Sequence, residues 1–181
     1  MSNDFEKNRK KEHDSISKAK HLRALYAIFD SQNKRVSRIK EYTGIDEQAD
    51  WDGKDFTVWV YDPITKTEIP YIVDVKFRYT EFPNDVMLCF KKTRNGVPYD
   101  GWAFNEKRKN DAILYIREKY NDAIWILKKD LIMNKKSLMN CGSEILVPGT
   151  DQWGDYIQHN IIVKDIDLDE FCPNTMRAKY E

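Results

Sequence analysis

The chain reads as an α/β (α+β) protein in which a central β-sheet is flanked by helices, and three observations carry that reading. Ile16, Ala19, Leu22, Leu25, Tyr26 and Phe29 recur at spacings of three and four, the stripe of a helix laid on a core. Residues 56–61 and 69–79 are rich in β-branched and aromatic side chains and flank Asp62-Pro63-Ile64-Thr65-Lys66-Thr67, a segment of turn chemistry, so they predict a β-hairpin. Further short apolar runs bounded by charge follow downstream.

Taken in order, residues 1–14 are charged and poor in apolar side chains, which predicts a frayed start. Ser15 stands where an N-cap is needed for the first helix. Val36, Ile39 and Tyr42, spaced by three ahead of Gly44, predict a second, short helical piece. After the hairpin, residues 86–92 predict a third strand ended by Thr93-Arg94-Asn95-Gly96, and residues 112–116 and 123–127 predict two more. Residues 128–139, with Leu131, Ile132 and Leu138, predict a helix on the sheet. The tail is less patterned, apart from Pro148-Gly149 and the strand-like Ile161-Ile162-Val163.

A length of 181 residues with 41% hydrophobic and 33% charged side chains suits one domain spanning 1–181. No apolar run approaches the roughly 20 residues of a membrane span, and the N-terminus lacks the apolar centre of a signal peptide, so the expected location is cytoplasmic. Cys89, Cys141 and Cys172 are scattered without a paired spacing, which points to neither a disulfide framework nor a zinc site. His13, His21 and His159 do not group, and neither a dinucleotide-binding glycine motif nor a P-loop is present. The five tryptophans include Trp51 and Trp102, which are candidates for base stacking, although tryptophans beside strands more often belong to a core.

The net charge of zero hides segregation along the chain. Counting Lys and Arg against Asp and Glu gives +6 for residues 1–40, −7 for 41–90, +6 for 91–136 and −5 for 137–181. Basic blocks on either side of an acidic one are placed to supply phosphate contacts, and solvated helix faces give similar counts.

Within the acidic block, Asp74-Val75-Lys76 sits inside the apolar run Tyr71-Ile72-Val73-Asp74-Val75-Lys76-Phe77. Alternate residues of a strand share a face, so Asp74 and Lys76 point one way while Val73, Val75 and Phe77 point the other. Burial of the apolar set fixes that register. Gly53-Lys54-Asp55 opens the neighbouring strand, and antiparallel pairing of the hairpin brings Asp55 toward Asp74 and Lys76. Two adjacent carboxylates repel unless a divalent cation neutralises them, and Mg2+ or Mn2+, with the Val75 carbonyl as a further oxygen ligand, suits such a site. The ion would polarise a phosphoryl oxygen and acidify a bound water, with Lys76 orienting that water or stabilising the developing charge. An edge-strand salt bridge between Asp74 and Lys76 is the competing reading.

These motifs resemble the PD-(D/E)XK nuclease-like superfamily, in its small Gram-positive bacterial and phage form. The resemblance rests on Gln48-Ala49-Asp50-Trp51-Asp52-Gly53-Lys54-Asp55-Phe56 followed by Ile72-Val73-Asp74-Val75-Lys76, with Gly101-Trp102-Ala103-Phe104 and residues 107–116 downstream. It implies a mixed sheet in a restriction-endonuclease-like αβββαβ core, a divalent metal, and cleavage of DNA or sometimes RNA. It casts Asp55 and Asp74 as metal ligands and Lys76 as the catalytic lysine, with Lys54 standing where the family often has proline. A further acid usually completes the site, and Glu12, Glu41 and Glu47 compete for that place, with Glu41 favoured and Gln48 beside it. Lys92, Arg94, Lys107, Arg108 and Lys109 become candidates for nucleic-acid contact. A cut through both strands of a duplex needs two active sites, which a homodimer would supply. The alternative, from another class, is a non-catalytic nucleic-acid-binding or inhibitor protein that keeps the fold.

Overall fold

The computed structural model describes residues 15–42, 53–78, 84–151 and 154–181, and the side chains of 15–18 and 151 lie outside that description. The first helix, α1, spans Ser15–Asp30. Ala24, Leu25, Ile28 and Phe29 form its buried stripe, and Tyr26, expected on that stripe, is 44% exposed.

The strands β1 (Arg35–Glu41), β2 (Phe56–Asp62) and β3 (Thr67–Arg78) follow as an antiparallel meander. β1 corrects the expectation of a second helix. Its register slips between Val36 and Arg38, a β-bulge that sets two residues against one partner. The extra residue puts Val36 and Ile39, three apart, on the same face, where both pack on the core. A bulged strand therefore shows the spacing of a helix. The β2–β3 turn forms as expected: the Asp62 carboxylate accepts the N–H groups of Ile64 and Thr65 at 2.9 and 3.3 Å, and Lys66 adopts the left-handed conformation.

β4 (Asp85–Arg94) and β5 (Val97–Asp100) form a hairpin whose two turn residues, Asn95 and Gly96, both have positive φ, as a type I′ turn requires. A loop over 101–111 leads to β6 (Ala112–Arg117), which pairs in parallel with β3, and then to β7 (Asp122–Leu127). Where the family resemblance implies a helix between β3 and its parallel neighbour, the described residues of the connection, 84–111, hold this hairpin and loop. The helix expected over 128–139 forms as two pieces, α2 (Lys128–Met133) and α3 (Lys135–Cys141), which meet at Asn134. β8 (Ser143–Asp151), β9 (Gly154–Lys164), α4 (Asp165–Phe171) and β10 (Met176–Lys179) complete the chain.

The strands make two sheets, a mixed six-stranded one ordered β1-β2-β3-β6-β7-β10 and an antiparallel four-stranded one ordered β5-β4-β9-β8. The larger sheet is buried on both faces. On one, Val58, Val73, Val75, Leu114 and Trp125 pack against α1. On the other, Ile113, Tyr115, Ile124 and Ile126 pack against Leu88 and Ile161 of the smaller sheet and against Leu131, Leu138 and Leu168 of α2, α3 and α4. Each fully buried aliphatic side chain contributes about 1.5–3 kcal/mol, so this three-layer burial sets the phase of β3, β6 and β7. No described helix is long and apolar enough to cross a membrane.

Candidate functional site

Phase places the site. Val73 and Val75 face α1, so Asp74, Lys76 and Arg78 share the opposite face, the one turned toward the smaller sheet. Asp74 is 3% exposed, so the carboxylate lies inside the protein and its ionisation depends on its neighbours.

The β2–β3 register, with Phe56 opposite Val73, sets Asp55 opposite Asp74 when carried one residue further. The Asp55 N–H donates to the Val73 carbonyl at 2.9 Å, and its carboxylate accepts the Val75 N–H at 2.5 Å. Asp55 thus extends the ladder with its own side chain just ahead of the start of β2. The N–H and carbonyl of one strand residue point toward the same edge, so the Val75 carbonyl leaves β3 on the side where Asp55 stands.

Both oxygens of Asp74 meet cations. Lys76 Nζ donates to Oδ1 at 2.5 Å and Arg108 Nη1 donates to Oδ2 at 2.8 Å. Burial drives the Asp74 carboxyl toward a higher pKa, but the Lys76 ammonium, the Arg108 guanidinium and a hydrogen bond with Asp55 outweigh it and hold the group below the ordinary carboxylate value. Lys76 shows the mirror image: burial favours the neutral amine, and Asp74 and Asp55 overcome this and raise its pKa. The ion pair is charged across the neutral range.

The 101–111 loop closes the site. Gly101 and Ala103 donate their N–H groups to the carbonyls of Phe90 and Cys89, at 3.0 Å each, which presses the loop onto β4. A Cβ on Gly101 would lie 2.2 Å from the Cys89 carbonyl oxygen, so only glycine allows that approach. The Trp102 ring then sits 5.7 Å from Lys76 Nζ, and the loop carries Arg108 back to Asp74. The turn at Gly53, with φ of +71°, packs against Asn110 and against Arg108 Nη1, the nitrogen that bonds Asp74.

The pattern-based reading missed Lys128. Its N–H donates to the Asp111 carbonyl at 2.9 Å, which keeps it in the β6–β7 register and in phase with Ile124 and Ile126, on the face of Asp74. Its Nζ donates to the Trp102 carbonyl at 2.6 Å. Burial, together with Arg108 and Lys76, lowers its pKa to about 8 against the pull of Asp74. The signal was present, because Lys128 continues the every-second-residue phase of a fully buried stripe. Asn110 was missed too: its Nδ2 donates to the Ala112 carbonyl, while its buried Oδ1 has no hydrogen-bond partner and faces Gly53.

Of the sequence-predicted residues, the structure brings together Asp55, Asp74, Val75 and Lys76, and adds Arg108 as an ion-pair partner of Asp74. Glu41 pairs with Phe56 across β1 and β2 and so lies on the α1 side of the sheet. Tyr42, one residue on, takes the Asp74 side, where its hydroxyl meets that of Thr57 at 3.0 Å. Lys92 and Arg94 gather over the Tyr156 ring of β9, at 5.1 and 5.7 Å, and Lys107 and Lys109 are exposed. Glu12, Glu47, Gln48 and Trp51 lie outside the described residues. Among the described residues, no group of three or more His, Cys, Asp or Glu side chains gathers as a metal site. Asp55 and Asp74 are the two carboxylates that could hold a hard cation such as Mg2+, which takes one or two carboxylates together with waters and substrate phosphate, and both oxygens of Asp74 are engaged by Lys76 and Arg108.

Comparison of the chain with protein-family models, with curated proteins and with solved structures finds no match.

Proposed function

We propose that the protein is a divalent-metal-dependent nuclease that hydrolyses phosphodiester bonds, most readily in DNA, on a PD-(D/E)XK-like core. The observation that carries this reading is the juxtaposition of Asp55 and Asp74 at the start of β2, with Lys76 on Asp74. The order α1, β1, β2, β3 and the parallel β6 supports the nuclease-like core, with the β4–β5 hairpin and 101–111 loop taking the crossover. Asp55 and Asp74 would hold Mg2+ or Mn2+, and when bound the ion supplies Lewis acidity to the phosphate and a more acidic water. Lys76 keeps its proton, holds the attacking water in line and meets the negative charge that grows on the phosphoryl oxygens. Lys128 and Trp102 hold the loop that walls the site and exclude bulk water from it.

Incubation of plasmid, single-stranded DNA and RNA with the protein and Mg2+ or Mn2+ tests the reading. Asp74→Asn and Lys76→Ala are expected to abolish cleavage. Asp55→Asn, which keeps an oxygen to accept the Val75 N–H, is expected to abolish it with folding stability retained. Cleavage that survives Asp74→Asn and Lys76→Ala rejects the assignment.

A second reading, a non-catalytic binding or inhibitor protein, is favoured by one observation: Lys76 and Arg108 by themselves neutralise Asp74. Calorimetry separates the two, since a protein that binds no Mn2+ at millimolar concentration belongs to the second.

A further inference from the structure

We infer that Arg108 is an exchangeable counter-ion that holds the metal's place on Asp74 and leaves when the metal binds. The inference rests on the nuclease reading and adds a control step to it. The geometry is specific. Arg108 Nη1 lies 2.8 Å from Asp74 Oδ2, the oxygen that Lys76 leaves unoccupied, since Lys76 holds Oδ1. A divalent ion held by Asp55 and Asp74 would need an oxygen of Asp74, and an oxygen engaged by a guanidinium would coordinate it less strongly.

The two cations on Asp74 differ in how they are mounted. Lys76 sits on β3 two residues from Asp74 and on the same face, so the strand keeps its Cα beside the carboxylate. Arg108 belongs to the 101–111 loop, which has no regular secondary structure, and its carboxylate partner lies 34 positions away in sequence. The side chain can swing while the loop stays fixed at Gly101, Ala103 and the Lys128 contact to Trp102. The cluster also has cations to spare. Lys76, Arg108 and Lys128 act electrostatically on Asp74, and arrival of a divalent ion would add two more charges to that crowd. Removal of the guanidinium from the carboxylate relieves the repulsion, and Lys128, already pushed to a pKa of about 8, remains the cation with the weakest hold on its proton.

The experiment is calorimetric titration of Mn2+ into the wild type, Arg108→Ala and, as a control for the loss of one exposed positive charge near the site, Lys129→Ala. Arg108→Ala is expected to bind Mn2+ roughly tenfold more tightly, about one factor of ten per 1.4 kcal/mol, and Lys129→Ala to match the wild type. A second measurement needs no variant: guanidinium NMR of the wild type reads rotation about the Arg108 Cζ–N bonds, slow in the ion pair and faster once Mg2+ saturates the site. Slow rotation that persists at saturating Mg2+ overturns the inference, as does an Arg108→Ala affinity equal to or weaker than the wild type. If the wild type binds metal and cleaves in either case, the nuclease reading stands and only the exchange fails. If neither wild type nor Arg108→Ala binds Mn2+ and nothing is cleaved, both fall together.

Discussion

Asp74, Lys76 and Arg78 stand on one face of one strand, yet they belong to two ionic clusters of opposite character. Around Arg78 the main pairs join guanidinium to carboxylate: Arg78 bonds Asp85, and Arg117 grips Asp122 with a fork of two bonds at 2.7 and 2.8 Å. Arg117 also reaches Asp165 at 2.8 Å, and Arg177 bonds Asp169 at 2.7 Å. These pairs tie β3, β4, β6, β7, β10 and α4 together. Around Asp74 the cations are two lysines and one loop arginine, and one lysine has its pKa pushed down to about 8; each cluster buries a polar oxygen without a hydrogen-bond partner, Asn110 Oδ1 here and Asp165 Oδ1 there. Planar forks that match carboxylates build a fastening. Around Asp74 the charges are in surplus instead, with Lys76 and Arg108 both on one carboxylate and Lys128 within its field.

The contrast is sharpest under deletion. Arg117→Ala leaves Asp122 and Asp165 without their main partner, and a broken buried pair costs about 3–5 kcal/mol, so urea unfolding should show a loss of that size while cleavage below the new melting temperature persists. Lys76→Ala is expected to do the reverse. Cleavage should be lost, a fall of at least about 10²–10³-fold, equivalent to at least about 2.7–4 kcal/mol in the barrier, with a smaller change in unfolding free energy than Arg117→Ala produces. If both variants lose stability alike and neither alters turnover, the two clusters are one kind of structure.

A smaller effect is read through pH. Lys128 titrates near 10.5 in an unfolded chain and at about 8 in the fold. Between those values the unfolded chain keeps a proton that the folded one has released, so stability rises with pH from about 8 to about 10.5. The penalty is present in full below pH 8. Lys128→Met removes that slope, and the gap between variant and wild type should shift by up to about 3 kcal/mol across the window in urea titrations. A parallel pair of curves would mean that Lys128 is not strained by its surroundings.

The smallest effect belongs to Gly53→Ala. The φ of +71° disfavours any Cβ, and the new methyl would lie 3.1 Å from Asn110 Oδ1 and 3.3 Å from Arg108 Nη1. Thermal unfolding should register about 1–2 kcal/mol.

Much of this was legible in one dimension. The β2–β3 hairpin follows from its strands and its Asp62 turn, and alternation alone placed Asp74 and Lys76 opposite Val73 and Val75. The misreading of β1 has a local cause: it carries a bulge, and a bulge borrows the spacing of a helix. Glu41 was a candidate acid until its pairing with Phe56 set it on the α1 side. Arg108 was read as a phosphate contact, since nothing local ties position 108 to position 74. Lys128 was passed over because a lysine following an apolar strand looks like a surface boundary until the strand's neighbours are known.

By itself the sequence determined which residues alternate, where the chain turns, and that an acid, an acid and a lysine stand at the ends of adjoining strands, because period and turn chemistry act over a few residues. The tertiary structure alone decided that β6 lies parallel to β3, that Arg108 and Lys128 converge on Asp74, and that Arg78 joins a separate network. Those outcomes depend on which strands become neighbours across long stretches of chain, and that choice is made by burial of both faces of the large sheet at once.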